Sequence, residues 1–326
     1  MPSTVKKGGQ ARLPKCPSVH VPKWVRAMSL ALAGVVVLTS GCAVRRIAVN
    51  QVGNAVASEG TTYSSDNDPE LIREAAPFSL KLMESLLAES PQHRGLLLAT
   101  TSGFTQYSYA FVQEDADEIE PTNLTAATAM RVRARNLYLR ARDYGLRGLE
   151  VSHRGFGAAL RTDSIRAARV TTKRDVPLLY WTAAAWGAAI SVSKDKPDIV
   201  ADMPRVEALI DRALELDEKF DHGAIHTFLI NYEMARPGLK PDEAVQRATK
   251  HFLRAMELSG GHLASPLVAY AEAVCVQKQQ RLEFDQRLKQ ALAIDVDEKP
   301  EWRSTNLVMQ RRAQWLLSRE EELFAQ

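Results

Sequence analysis

The sequence predicts an all-α protein, and three observations carry that expectation. From about residue 68 onward apolar residues recur at steps of three and four, while alternating Val, Ile, Thr and aromatic runs bounded by turn pairs are missing. Pro, Ser, Asp and Gly punctuate these stretches in the order that starts and stops helices. A short phrase also repeats: Ala213-Leu-Glu-Leu-Asp217, Ala255-Met-Glu-Leu-Ser259 and Ala291-Leu-Ala-Ile-Asp295, spaced by 42 and 36 residues. Weaker echoes lie at residues 148–152 and 86–90. One amphipathic helix cannot bury its stripe alone, so the helices must pair as antiparallel hairpins and the hairpins must stack. Such a stack presents a concave or enclosed surface.

The chain has 326 residues and 45% hydrophobic content, enough for one large or two modest folded units. Its net charge of +3 belongs to the beginning of the chain. Residues 1–41 hold Lys6, Lys7, Arg12, Lys15, Lys23 and Arg26 and no acidic residue. Setting those six aside leaves 36 of the 42 basic residues against 39 acidic ones. A mildly acidic remainder gives no electrostatic reason to bind nucleic acid.

The first stretch is a leader by pattern. Residues 28–38 form an uncharged apolar run too short to span a bilayer, and the small residues Thr39-Ser40-Gly41 follow before Cys42. A basic segment, an apolar segment and a small-residue cleavage site define a secretory signal peptide. Leu38-Thr39-Ser40-Gly41-Cys42 further resembles a bacterial lipobox, with Thr39 where an aliphatic residue usually stands. The reading is therefore a cleaved signal peptide over residues 1–41 and lipidation of Cys42, followed by a tether and first helix over 42–67 and a helical domain over 68–326. Ala43 after the cysteine, by the Gram-negative sorting pattern, favours the periplasmic face of the outer membrane. Cys16 leaves with the leader, so the mature domain keeps only Cys275, which sits among Val268, Ala271 and Val274 and reads as a small core hydrophobe.

The helices come in order. Asp68-Pro69-Glu70 opens one that carries Ala76, Leu80, Met83 and Leu87 on one face, with Pro77 inside it. Ser90-Pro91 separates it from a helix near residues 92–112. The acidic run Glu114-Asp-Ala-Asp-Glu-Ile-Glu120 reads as a solvated loop, since it lacks the glycine turn and ligand spacing of a calcium site. An Arg-rich helix spans 122–151, and two short pieces fill 156–169. Asp175-Val176-Pro177 begins the most apolar helix, through Ile190, whose Ala and Gly residues permit close approach on all sides. A polar linker over 193–204 precedes a hairpin over 204–237. In that hairpin Val206, Leu209, Ile210, Ala213 and Leu214 form one stripe, and Ile225, Phe228, Leu229 and Tyr232 the other. Helices opening at Pro241, Ser265-Pro266, Arg281 and Pro300 complete the chain.

The search for chemistry returns little. His222 and His226 stand four apart, on one helical face as in zinc proteases, but Gly223 occupies the position of the required Glu, and no third ligand is placed. Glu207 and Asp211 read as surface charge beside Arg205 and Arg212. No nucleophile elbow, phosphate-binding loop or dinucleotide fingerprint is present. The reading is a protein with no catalytic, metal or cofactor residues. Tyr180, Trp181 and Trp186, on the helix lined with small residues, are the candidates to edge an apolar ligand site or channel, against ordinary core packing as the simpler reading.

In combination these pieces resemble the T component of tripartite ATP-independent periplasmic (TRAP) transporters, the TatT family of tetratricopeptide-like bacterial lipoproteins. The resemblance rests on Gly41-Cys42, Ala76-Pro77-Phe78, Leu86-Leu87-Ala88-Glu89-Ser90-Pro91, Leu179-Tyr180-Trp181 through Trp186-Gly187, Ala213-Leu214-Glu215-Leu216-Asp217, and Phe252-Leu253-Arg254-Ala255 with Gly260-Gly261. It implies an α-solenoid that forms trimers with a channel through each subunit. It also implies docking of the transporter's periplasmic solute-binding protein and handling of a hydrophobic or organic-acid ligand. Two other readings share the anchor and the stack: a scaffold for outer-membrane assembly, secretion or pilus biogenesis, and a lipoprotein hydrolase with an unrecognised site.

Overall fold

The computed structural model describes residues 49–56 and 61–324, and Val49–Gln326 forms one compact unit. The expected signal peptide and Cys42 lie outside the described residues. Among the described residues every regular element is helical. Residues 49–56 (α1) and Thr61–Ser64 (α2) lead into α3 (Pro69–Glu89). The Asp68 carboxylate caps α3 by accepting from the amides of Glu70 and Leu71, with Pro69 in the first turn where no donor is needed. Then come α4 (Arg94–Ser108), a π-helical turn at Tyr109–Gln113, and α5 (Glu114–Ile119) without a break. Asn123 caps α6 (Leu124–Ser152) by accepting from the Ala126 amide.

The short α7 (Phe156–Thr162) and α8 (Ser164–Ala168) precede α9 (Val176–Ser191). The predicted linker contains one helical turn, α10 (Pro197–Val200). The stretch read as a hairpin holds α11 (Met203–Leu216) and α12 (Ala224–Ala235), followed by α13 (Pro241–Leu258); α11 packs mainly on α9 and α12 mainly on α13 rather than on one another. A second π-helical turn, Ala271–Cys275, continues α14 (Ser265–Tyr270). The chain ends in α15 (Arg281–Leu292), α16 (Arg303–Ser318) and α17 (Glu320–Leu323).

Helices adjacent in sequence are mostly adjacent in space. α3 packs on α4, α4 on α6, α6 on α9 and α9 on α11; after that α12 packs on α13, and α14, α15 and α16 pack together. The core has two main bodies, and α12 belongs to both. Ile225 and Leu229 face the first, with Leu179, Trp186 and Leu209, whereas Ile230 faces the second, with Phe252, Leu267 and Phe284. The last long helix then returns to the first ones: α16 touches α2 and α3, and Arg303 donates to the Ser65 carbonyl at 2.8 Å.

Two sequence expectations for titratable residues change. The acidic run is helix α5 and is half buried rather than a solvated loop. His222 and His226 do not share a helical face, because Asp221, His222 and Gly223 all adopt left-handed backbone before α12 begins. Glu207 and Asp211 lie at the surface as expected, where Arg236 pairs with both and the Tyr232 hydroxyl donates to Glu207 at 3.1 Å.

Candidate functional site

Among the long helices of the described residues α9 has the least polar sequence, and no residue of it before Ser191 is exposed. Its burial is nonetheless uneven. Leu178, Leu179, Thr182, Ala183, Ala185, Trp186, Ala189 and Ile190 are buried, whereas Pro177, Tyr180, Trp181, Ala184, Gly187 and Ala188 are only half buried. The second set recurs at steps of three and four, so it is one continuous stripe. An apolar helix gains by covering all its sides; here one side stays partly reachable by water.

The three aromatic candidates separate across this helix. Tyr180 and Trp181 lie on the half-buried stripe, with ring centroids 5.0 Å apart, and Phe220 packs on Tyr180 at 5.3 Å. Phe228 of α12 lies over Gly187, where an added Cβ would approach its ring to 3.2 Å. Burial, helped by Asp221, pushes the Tyr180 phenol above the ordinary range, so it stays neutral. Trp186 faces the other way, into the core. Its Nε1 donates to Asp202 at 3.1 Å and the Arg142 guanidinium covers its ring at 5.0 Å.

A second constellation was not foreseen. It lies where α16 meets α5. Arg311 pairs with Asp115 at 2.8 Å and Glu118 at 2.7 Å, and Arg312 with Asp117 at 2.9 Å and with Glu272. Arg73 from α3 and Arg131 from α6 complete the set, on Asp115 and on Asp117 and Glu120. The two π-helical turns flank this junction. One immediately precedes Glu114 and the other contains Glu272. Each inserts an extra residue, which rotates the rest of the helix by about 100°. Glu114 is thereby turned inward to 1% exposure, and neither carboxyl oxygen has a hydrogen bond of normal geometry. Burial raises its pKa to about 8, against the pull of Arg312 and the nearby Tyr109 hydroxyl. It is therefore a neutral acid at pH 7. The acidic run and the Arg311-Arg312 pair were each visible in the sequence, but nothing local announces that residues almost two hundred apart will meet.

On the outside, α11, α12 and α13 border a groove of about 920 Å³ lined by Leu214, Glu218, His226, His251, Leu253 and Arg254, among others. The two imidazoles face one another, Nδ1 to Nδ1, at 2.8 Å. Desolvation lowers both pKa values, and His226 helps push His251 down to about 4. Both rings are neutral at pH 7, and one Nδ1–H donates to the other. Among the described residues no group of three or more His, Cys, Asp or Glu is arranged to hold a metal ion. Cys275 is buried in the second core body, and its thiol is pushed up to about 12, which makes it unreactive.

Among the described residues no helix is long and apolar enough to cross a membrane. A protein of Treponema pallidum (strain Nichols), described only as an uncharacterized protein, is 28% identical over 328 residues, an alignment covering 95% of this chain and 99% of the relative. The family model for the TRAP transporter T-component matches residues 65–324, from the entrance of α3 to the end of α17, and so takes in the α9 stripe, the groove and the α5–α16 junction alike. The chain belongs to the TRAP transporter T-component family.

Proposed function

We propose that this T component works as a lipid-anchored accessory protein that docks the transporter's periplasmic solute-binding protein and receives its hydrophobic or organic-acid ligand. The half-buried aromatic stripe of α9 carries the ligand part of this reading. Tyr180 and Trp181 offer two ring faces beside small residues, which suits the apolar body of a ligand, and the neutral Tyr180 hydroxyl suits a polar head. Trp186, hydrogen-bonded within the core, supports the helix that presents them. The attachment is the acyl chain on Cys42, with the leader 1–41 removed and the protein held at the periplasmic face of the outer membrane. The work is binding, without a catalytic step.

Co-purification from membranes with mass spectrometry tests the partner. A solute-binding protein is the expected companion, and recovery of assembly or secretion machinery in its place would overturn the reading. Displacement of a fluorescent fatty acid tests the ligand surface. Trp181→Ala is expected to weaken binding about tenfold, corresponding to about 1.4 kcal/mol of lost aromatic contact, with the fold unchanged. An undiminished affinity would remove α9 from the site.

A further inference from the structure

Positive charge is concentrated in residues 151–174. They hold Arg154, Arg161, Arg166, Arg169, Lys173 and Arg174, all exposed, against Asp163 alone. Outside this segment and residues 1–41 the balance is 30 basic residues to 38 acidic. Among the described residues only Lys173 of the six makes an ion pair, with Asp217 at 3.1 Å. The Asp163 carboxylate caps α8 by accepting from the Arg166 amide. Ala167 and Ala168 turn inward, so Ile165, Arg166, Arg169 and Val170 form the outward side of α8 and the turn after it. Ile165 is 63% exposed and Val170 55%, one apolar residue on either flank of the two guanidinium groups.

We propose that α7, α8 and the turn after them rest on a lipid surface with anionic headgroups, as a second membrane contact beside the acyl chain. The placement rests on the lipidated Cys42 of the proposed function. Asn50 of α1 accepts from Ser90 Oγ at 2.7 Å, at the turn between α3 and α4. The exit from α8 lies at the same end of the bundle. Arg94 donates to the Arg174 carbonyl at 2.9 Å, and Arg147, near the end of α6, donates to the Pro91 carbonyl at 3.2 Å. Cys42 is eight residues before Asn50, a reach of at most about 28 Å. Helix α6, with 29 residues, is about 44 Å long, so its far end lies outside that reach. An acyl group in a bilayer therefore brings this end of the bundle, and not the other, to the headgroups. Each basic residue beside an anionic surface strengthens binding about fivefold. Ile165 and Val170 suit the boundary between headgroups and acyl chains, over which arginine stems lie with their charge outward. A protein partner fits this face less well, since protein interfaces favour aromatic side chains and the segment exposes none.

The mature protein, purified from membranes in detergent and returned to vesicles, tests this placement. A fluorophore is attached at Ile165→Cys, since Cys275 is buried and acylation blocks the Cys42 thiol. Leu282→Cys on α15, where the native residue is 72% exposed, carries the same label as the control. In vesicles of phosphatidylethanolamine with phosphatidylglycerol, lipids spin-labelled on the acyl chain are expected to quench the Ile165 probe at least about twofold more than the Leu282 probe. Phosphatidylcholine vesicles, or salt near about 1 M where screening acts within about 3 Å, should shrink that difference. Arg166→Glu with Arg169→Glu should bring the Ile165 probe down to the control. Quenching left unchanged by that pair, together with loss of a co-purifying protein, would assign the face to a protein partner and sink the proposal. The intact mass of the same sample reports the acyl group separately. A mass lacking acyl chains would overturn the anchor and this placement together, whereas an acylated protein whose two probes are quenched equally would overturn the placement alone. All the substituted side chains are exposed, so circular dichroism should show an unaltered fold.

Discussion

Glu114 shows how one side chain can set the pH profile of a whole protein. Its pKa is raised in the folded state, from the ordinary carboxyl value to about 8, because burial disfavours the anion. Between pH 4.5 and 8 the native state therefore holds a proton that the unfolded state has released. Stability attributable to this group is full at low pH and is lost progressively up to pH 8. Glu114→Gln should remove that slope and stabilise the protein by roughly 3 kcal/mol at pH 7. Urea titrations from pH 5 to 8 check this, and an unchanged slope would show that Glu114 is solvated and charged. The His226–His251 pair acts with the opposite sign. Its lowered values mean that stability falls as pH drops from about 6.5 toward 4, where the unfolded imidazoles charge first. Replacing His251 by Gln should flatten that acid limb.

At the scale of single elements, close helix approach decides which glycines matter. A Cβ at Gly145 of α6 would fall 2.1 Å from Thr182 Oγ1 of α9 and 3.1 Å from Thr101 Cγ2 of α4. Gly148 is as tight, with Leu178 Cδ2 at 2.7 Å. Gly145 lets α6 approach both α4 and α9, and Gly148 lets it approach α9. Gly145→Ala should cost about 1–3 kcal/mol through overpacking. Gly157 of α7 is the control, because a Cβ there meets nothing nearer than Glu150 at 3.9 Å. Its replacement by Ala should be neutral or stabilise by up to about 1 kcal/mol. Thermal unfolding of the pair separates packing from helix propensity, and equal effects would refute the packing account.

For the whole molecule, the junction of α16 with α5 joins two helices almost two hundred residues apart in sequence. Arg312 is buried there between Asp117 and Glu272, with Glu114 nearby. Arg312→Ala would take the partner from Glu272 and leave Asp117 with Arg131 alone, and should cost about 3–5 kcal/mol. Arg311, one-third exposed on Asp115 and Glu118, should cost under about 1 kcal/mol on the same change. Chemical denaturation of both variants reads the difference. Comparable losses would mean that the junction is solvated throughout.

The sequence by itself determined the helices. Stripes at steps of three and four, proline and aspartate at the starts and glycine at the stops are local signals, because helix hydrogen bonds and caps join residues a few positions apart. The helices α11 and α12 and the apolar α9 were legible for that reason. Only the tertiary structure decided which face of α9 stays half open, so that Tyr180 and Trp181 part from Trp186 across one helix. It alone turned the acidic run into a buried junction, because a π turn shifts the helical register and the matching arginines lie at the far end of the chain. A carboxylate reads as solvated until its partner is known, and partners brought together by packing leave no periodic trace in the sequence between them.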